Sequence, residues 1–208
     1  PMQAIWHGMN AYPWQGPPPV DGKGFVFVAN AGEEGLGNLK GSRKICESYT
    51  GRIAEFCSFD GYFDGLVRDA VGSERYRVEV CTEGGHSFGC FGNRNAIAYL
   101  SSMIDTLYEL KPPVSKTRTT YNVGTIRGGT SVNTIAQQAE MLYEYRSDSA
   151  ADLDFMRRHF EAVIAAYRAK GITVHTQLLG QRPCSGDVDP EKLDALSARI
   201  GASIAAYS

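Results

Sequence analysis

The sequence predicts an α/β chain in two parts: a piece of an α/β domain, then a ferredoxin-like β-α-β-β-α-β domain. Three observations carry this. A short run, GFVFVAN (24–30), is apolar throughout and Gly-flanked, as in a strand buried on both faces. From about residue 66 the pattern changes to strands that alternate and helices with apolar residues every three or four positions. The order of those elements, strand, helix, two strands, helix, strand, is complete within one stretch.

Residues 1–19 hold Trp6, Trp14 and the prolines Pro17, Pro18 and Pro19 without helical or alternating period, so they read as an irregular or polyproline entry segment. After the 24–30 strand and the loop AGEEGLG, NLKGSRKICESY (38–49) reads as a helix despite Gly41, and EFCSFD (55–60) as a second strand ending on an acid. Further on, RYRVEV (75–80) sends Tyr76, Val78 and Val80 inward. Residues 93–110 repeat Ile97, Leu100, Ile104, Leu107 and Tyr108 at helical spacing until Pro112. TYNVGTI (120–126) is a strand, GGTSVN a turn, and QAEMLYEYR (138–146) a strand with Met141, Tyr143 and Tyr145 on one face. Ser149 with Asp152 opens a helix in capping-box style, with the stripe Leu153, Met156, Phe160, Val163, Ile164 and Tyr167. Gly171 closes it before the strand ITVHTQLL (172–179), and Asp189 with Pro190 starts a last helix that has no partner strand in sequence. The expected domains are therefore 1–65, 66–182 and a segment 183–208 that begins something further.

Composition excludes several roles. With 43% hydrophobic residues the chain can bury a core. A formal charge of −2 offers no overall basic field for nucleic acid or an anionic membrane. No apolar run approaches the roughly 18 residues of a spanning helix. Five scattered cysteines without C-x-x-C spacing argue against a disulfide framework or zinc ribbon and for free, mostly buried thiols in a cytoplasmic protein.

The chemistry concentrates in a few positions. Glu33 and Glu34 follow a strand, and Asp60 follows the next, where ligands of parallel sheets gather. Adjacent carboxylates point apart, so one can bind a metal while the other takes a proton from bound water. The competing reading is two solvated loop acids. A phosphate loop is rejected, because Glu33 and Glu34 would set negative charge against a pyrophosphate. His86, in EGGHSFGCFG, is displayed on a glycine-rich loop, whereas His159 and His175 lie within regular elements and His7 lies in the entry segment. Taken alone, Arg146 beside Glu144 is half of a surface ion pair and Asn133 is a turn residue.

The strings VANAGEEGLGNLKG, SFDG, GGHSFGCFGNRNAI and NVGTIRGGTSVNTIAQQAEMLYEYRS, in that order, resemble the co-catalytic zinc hydrolases of metallopeptidase family M-twenty over roughly residues 20–200. That family includes tripeptidase, glutamate carboxypeptidase, aminoacylase and desuccinylase enzymes. The resemblance implies a catalytic α/β domain interrupted by a ferredoxin-like lid that dimerises. It implies Glu33 as general base, Glu34 and Asp60 as ligands of two zincs, and a lid histidine, His86, acting on the partner's site. Asn133 and Arg146, brought near each other by strand pairing, would hold the carboxylate of a small peptide or N-acyl amino acid. Three family features have no counterpart here: the early His-x-Asp, the bridging Asp and the closing His. Ala136 stands where the family has proline, and Tyr145 where an acid precedes the arginine. The chain is therefore expected to be the middle of such an enzyme, binding zinc weakly by itself. The alternative is an inactive dimerisation module.

Overall fold

The computed structural model describes residues 22, 24, 26–33, 37–59, 65–112, 117–185, 188–200 and 203–205. It divides into two compact units, residues 1–63 and 64–208.

In the first unit, the helix α1 (Lys40–Ser48) forms where the sequence places it. Gly41 is required there rather than tolerated: a Cβ would sit 2.8 Å from the Ala31 carbonyl oxygen and collide with the Asn30 side chain. Asn30 in turn donates from Nδ2 to Ser42 Oγ at 2.9 Å. Among the described residues the two flanking strands do not form. Residues 26–30 and 55–59 are irregular, and Val26, Phe27 and Val28 are 59%, 66% and 47% exposed. A strand of the parallel type exists only through hydrogen bonds to neighbours, and no described residue pairs with either run. Local apolar composition alone does not hold it extended.

The second unit is the expected ferredoxin-like arrangement. After a short β1 (Gly65–Val67) come β2 (Gly72–Cys81), β3 (Gly85–His86), α2 (Ala96–Tyr108), β4 (Thr119–Gly128), β5 (Thr134–Ile135), β6 (Gln138–Ser147), α3 (Ala150–Ala169) and β7 (Thr173–Arg182). The main sheet has the order β4-β6-β2-β7, antiparallel throughout, with β2 flanked on both sides. Its period-2 alternation sends Val78, Val80, Met141, Tyr143, Tyr145 and Val174 against the two helices. The α3 stripe is buried as read from the sequence, and the Phe160 ring lies 4.5 Å from that of Tyr76 and 5.5 Å from that of Tyr143. In α2 the buried residues are Ala96, Leu100, Met103 and Leu107, while Ile97 and Tyr108 are exposed. Leu100 and Leu107 are thus buried and Ile104 packs against the core as expected, while Ala96 and Met103 are buried in place of Ile97 and Tyr108; Asn95 caps the helix by accepting from the Ile97 and Ala98 N–H groups. Ser149 caps α3 through the Asp152 N–H at 3.2 Å, but the Asp152 carboxylate accepts from Thr117 Oγ1 at 2.6 Å, outside the expected box.

The last helix, α4 (Pro190–Ile200), is capped by Asp189 Oδ1, which accepts from the Glu191 and Lys192 N–H groups. Contrary to expectation it leads into a partnered strand, β8 (Ser203–Ala205), which pairs in parallel with β1. The cysteines are unpaired as expected but not buried: Cys46 and Cys57 are exposed and Cys81, Cys90 and Cys184 half-buried. No helix among the described residues is long and apolar enough to cross a membrane.

Candidate active site

Of the six residues singled out by sequence, Glu34 and Asp60 lie outside the described residues. Glu33 is half-buried in the loop before α1, where its carbonyl accepts from the Leu39 N–H at 3.4 Å. The other three belong to the second unit.

His86 is presented by a frame that begins at the end of β2. Thr82 donates from Oγ1 to the Ala136 carbonyl at 2.9 Å and from its N–H to Gln137 at 2.8 Å. The chain then turns through Gly85, at φ 127°, where a Cβ would lie 2.8 Å from Cys90 Cβ and Sγ, so only glycine fits. Asn93 Nδ2 donates to the Gly84 carbonyl at 2.7 Å, closing the loop at its base. Beside it, Arg94 pairs with Glu83 at 2.6 Å and donates from Nη1 to the Gly171 carbonyl at 2.6 Å, tying the loop to the end of α3. The hydrogen bond from Arg94 holds the Glu83 carboxyl down at about 2.

Within this frame the imidazole orientation is set locally. The Phe88 and Gly89 N–H groups both approach His86 Nδ1 at 3.3 Å. A neutral ring accepting at Nδ1 carries its proton on Nε2, so the exposed His86 offers Nε2–H as a donor. His86 also pairs with Thr134 in the β3–β5 ladder, and the Ser87 N–H donates to the Asn133 carbonyl at 2.9 Å. Asn133 Oδ1 accepts from Ser131 Oγ at 2.8 Å. His86 and Asn133 thus share one tip. Phe88, Phe91 and Val132 are almost fully exposed on the same loops, a feature the sequence reading missed although HSFGCFG carries two aromatics among glycines. A groove of about 510 Å³, lined by Glu83, Gly85, Arg127, Thr134, Gln138 and Glu140 among others, adjoins the ladder.

Arg146 is elsewhere. It lies near the far end of β6, whose first residue, Gln138, follows the tip, and eight residues of strand separate the two by about 26 Å. The expectation that strand pairing brings Asn133 beside Arg146 is therefore corrected: β6 runs away from the turn, and Arg146 pairs with Ser73 and Thr120. Its guanidinium makes two 3.1 Å bonds to Glu144, the ion pair anticipated from i, i+2 spacing on one strand face. Glu144 also accepts from Arg75 at 3.2 Å. Burial works to raise the Glu144 carboxyl, but the Arg146 and Arg75 guanidiniums outweigh it and hold it below the usual range.

Comparison with known proteins gives the following. Residues 71–171 match the family described as peptidase dimerisation domain. No curated protein sequence matches. Among solved structures, the chain is similar to an aminobenzoyl-glutamate utilization protein from Klebsiella pneumoniae, at 18% identity and TM-score 0.56, over 69% of this chain and 43% of that one. It is similar to an amidase of the hydantoinase/carbamoylase family from Burkholderia vietnamiensis at 18% identity and TM-score 0.58, over 69% and 36%. It is also similar to the aminopeptidase PepT from Bacillus cereus at 16% identity and TM-score 0.53, over 72% and 41%. The chain spans about two-fifths of the length of these structures. At such identities the likeness establishes the fold, and it agrees with the βαββαβ order and with the segment matched by sequence. Residues 71–171, which run from the start of β2 to the end of α3, are thus the part of the chain that matches the peptidase dimerisation domain family.

Proposed function

We propose that this chain supplies the dimerising lid and part of the catalytic domain of a metal-dependent amide hydrolase. Its substrates are small peptides or N-acyl amino acids with a free carboxylate, and it works as a homodimer. The observation that carries this reading is the shared tip of His86 and Asn133, displayed at the end of a peptidase dimerisation domain. Amide cleavage develops an oxyanion, which an imidazole N–H stabilises from about 3 Å. The tautomer held by Phe88 and Gly89 leaves His86 with the donor this requires. Glu33 is the proposed general base.

Spacing within the lid supports a division of these residues between subunits. A substrate the size of an acyl amino acid cannot span the roughly 26 Å between tip and Arg146 in one protomer. If both hold one substrate, His86 and Asn133 come from one subunit and Arg146 from the other. Arg146 already grips a carboxylate, that of Glu144, in the two-bond geometry a substrate carboxylate would use. Half-exposed pairs of this kind are worth at most about 1 kcal/mol, so exchange of one carboxylate for another is not costly.

Zinc is the proposed metal of the complete site, with Glu34 and Asp60 among its ligands. Those two carboxylates give one ligand to each ion, fewer than the three protein ligands of a catalytic zinc, so no step is assigned to zinc on the residues of this chain. The unpaired cysteines support a cytoplasmic setting. A second reading, a dimerisation module without activity, is favoured by the exposed run 26–30, which pairs with no strand among the described residues.

Subunit mixing in the complete enzyme tests the assignment. His86→Ala mixed with Glu33→Ala, or with Arg146→Ala, is expected to regain part of the activity, because one site per mixed dimer is intact. His86→Ala mixed with Asn133→Ala is expected to regain none. The opposite pattern, with subunit exchange demonstrated, refutes the reading.

A further inference from the structure

The sheet face away from the helices carries a second cluster of metal-binding groups. Alternation along β2 places Glu79 and Cys81 on this open face while Val78 and Val80 enter the core. The register of β7 sets His175 directly opposite Glu79, and that of β6 sets Gln138 opposite Cys81. One donor atom from each of Glu79, Cys81 and His175 lies within 4.8 Å of the others, the one such grouping among the described residues.

We propose that Glu79, Cys81 and His175 bind one divalent transition metal of borderline softness, zinc or cobalt(II) in class, with water in the remaining position. Carboxylate oxygen, thiolate sulfur and imidazole nitrogen are the donors such ions take, at bond lengths of about 2.0–2.3 Å. Tetrahedral bonds of that length put donors roughly 3.5 Å apart, so donors already within 4.8 Å of one another have little more than about 1 Å to close. Its backbone is well held, since β2 is hydrogen-bonded on both sides. Gln138 Nε2 donates to Glu79 Oε1, fixing one carboxylate oxygen as an outer-shell partner does. Burial and then the Glu79 charge raise the Cys81 thiol, the direction that a bound cation reverses. On binding, the Cys81 S–H bond breaks, its proton leaves to solvent, and the sulfur electron pair forms the metal bond, with no change of oxidation state. His175, exposed at the rim, leaves the fourth position open. This cluster shares no residue with the proposed zinc centre, to which this chain contributes only carboxylates.

The test uses the untagged full chain, stripped with chelator and titrated with cobalt(II) without oxygen. A thiolate-to-cobalt charge-transfer band saturating at one equivalent, with the visible absorption of a four-coordinate site, is expected, and zinc is expected to abolish both. Glu33, Glu34 and Asp60 cannot produce a sulfur band. Cys81→Ser is expected to remove it, and His175→Ala to weaken binding by at least tenfold. Gln138→Ala is expected to weaken binding by about tenfold, the lower end of the effect of losing an outer-shell partner. Cys90→Ser, on the neighbouring loop, is expected to keep the band. Absence of the band in folded wild-type chain, or its survival in Cys81→Ser, overturns the proposal. An undiminished affinity in His175→Ala, whose exposed side chain does not support the fold, overturns it as well.

Discussion

Replacing Glu74 with alanine removes the acceptor on which several polar groups converge at the start of β2. Glu74 is 3% exposed. It accepts from Tyr76 OH at 2.7 Å, from the buried Tyr145 OH and from Gln181 Nε2 at 2.9 Å, and lies 3.4 Å from Arg157. Burial first, and the Glu74 hydrogen bond next, push the Tyr76 hydroxyl up to about 12 and raise Tyr145 further, so both remain donors at any ordinary pH. Without the carboxylate, the Tyr145 hydroxyl is stranded inside, at about 1–3 kcal/mol, while the half-buried Tyr76 can turn toward water. Gln181 and Arg157 are more exposed, and their loss counts for little. The sum is a destabilisation of about 2 kcal/mol, with Glu74→Gln costing roughly half, because the amide oxygen still accepts. Urea unfolding followed by tyrosine fluorescence reads this as a lower midpoint at unchanged slope. A double-mutant cycle with Tyr145→Phe is expected to give a coupling of about 1–2 kcal/mol. Glu74→Ala within 0.5 kcal/mol of wild type, or strict additivity with Tyr145→Phe, would show that the convergence carries no stability.

Three further outcomes are expected. Met156→Ala, emptying a fully buried position of the α3 stripe, destabilises by about 2–5 kcal/mol in the same assay. The Glu83–Arg94 pair contributes fully above the ordinary carboxyl value of 4.5 and is lost as pH falls toward about 2; Glu83→Gln is therefore expected to differ from wild type in melting temperature at pH 6 and to converge with it near pH 2. Sedimentation of the chain is expected to show a dimer at micromolar concentration, with a monomer throughout counting against the homodimer.

The second unit was legible because its determinants are local and repeated. Tyr143 and Tyr145 on β6, or Phe160 and Tyr167 on α3, face the core through a period that needs no knowledge of the partner. In the first unit the same logic failed for residues 26–30, since an all-apolar run reports burial without saying who pairs with it. His86 was marked by its glycines, which also require the turn at Gly85. The separation of Asn133 from Arg146 was illegible from spacing, because thirteen residues can fold back as a hairpin or run out along a strand, and only the length of β6 decides. The Glu79, Cys81 and His175 grouping depends on cross-strand register between residues almost a hundred positions apart.

The pairing of β1 with β8 has a topological consequence. Parallel neighbours cannot be joined by a tight hairpin; they need a crossover of a dozen residues or more. Everything between Val67 and Ser203 is that crossover, so the whole lid occupies the place that a single helix fills in an ordinary β-α-β unit. Its entry and exit also meet at its base, where Ser185 N–H donates to the Ala70 carbonyl at 3.2 Å. A deletion of residues 72–182 that kept α4 would therefore leave a helix-length crossover and keep the β1–β8 pair, whereas one that also removed α4 and left a two-residue link would break it.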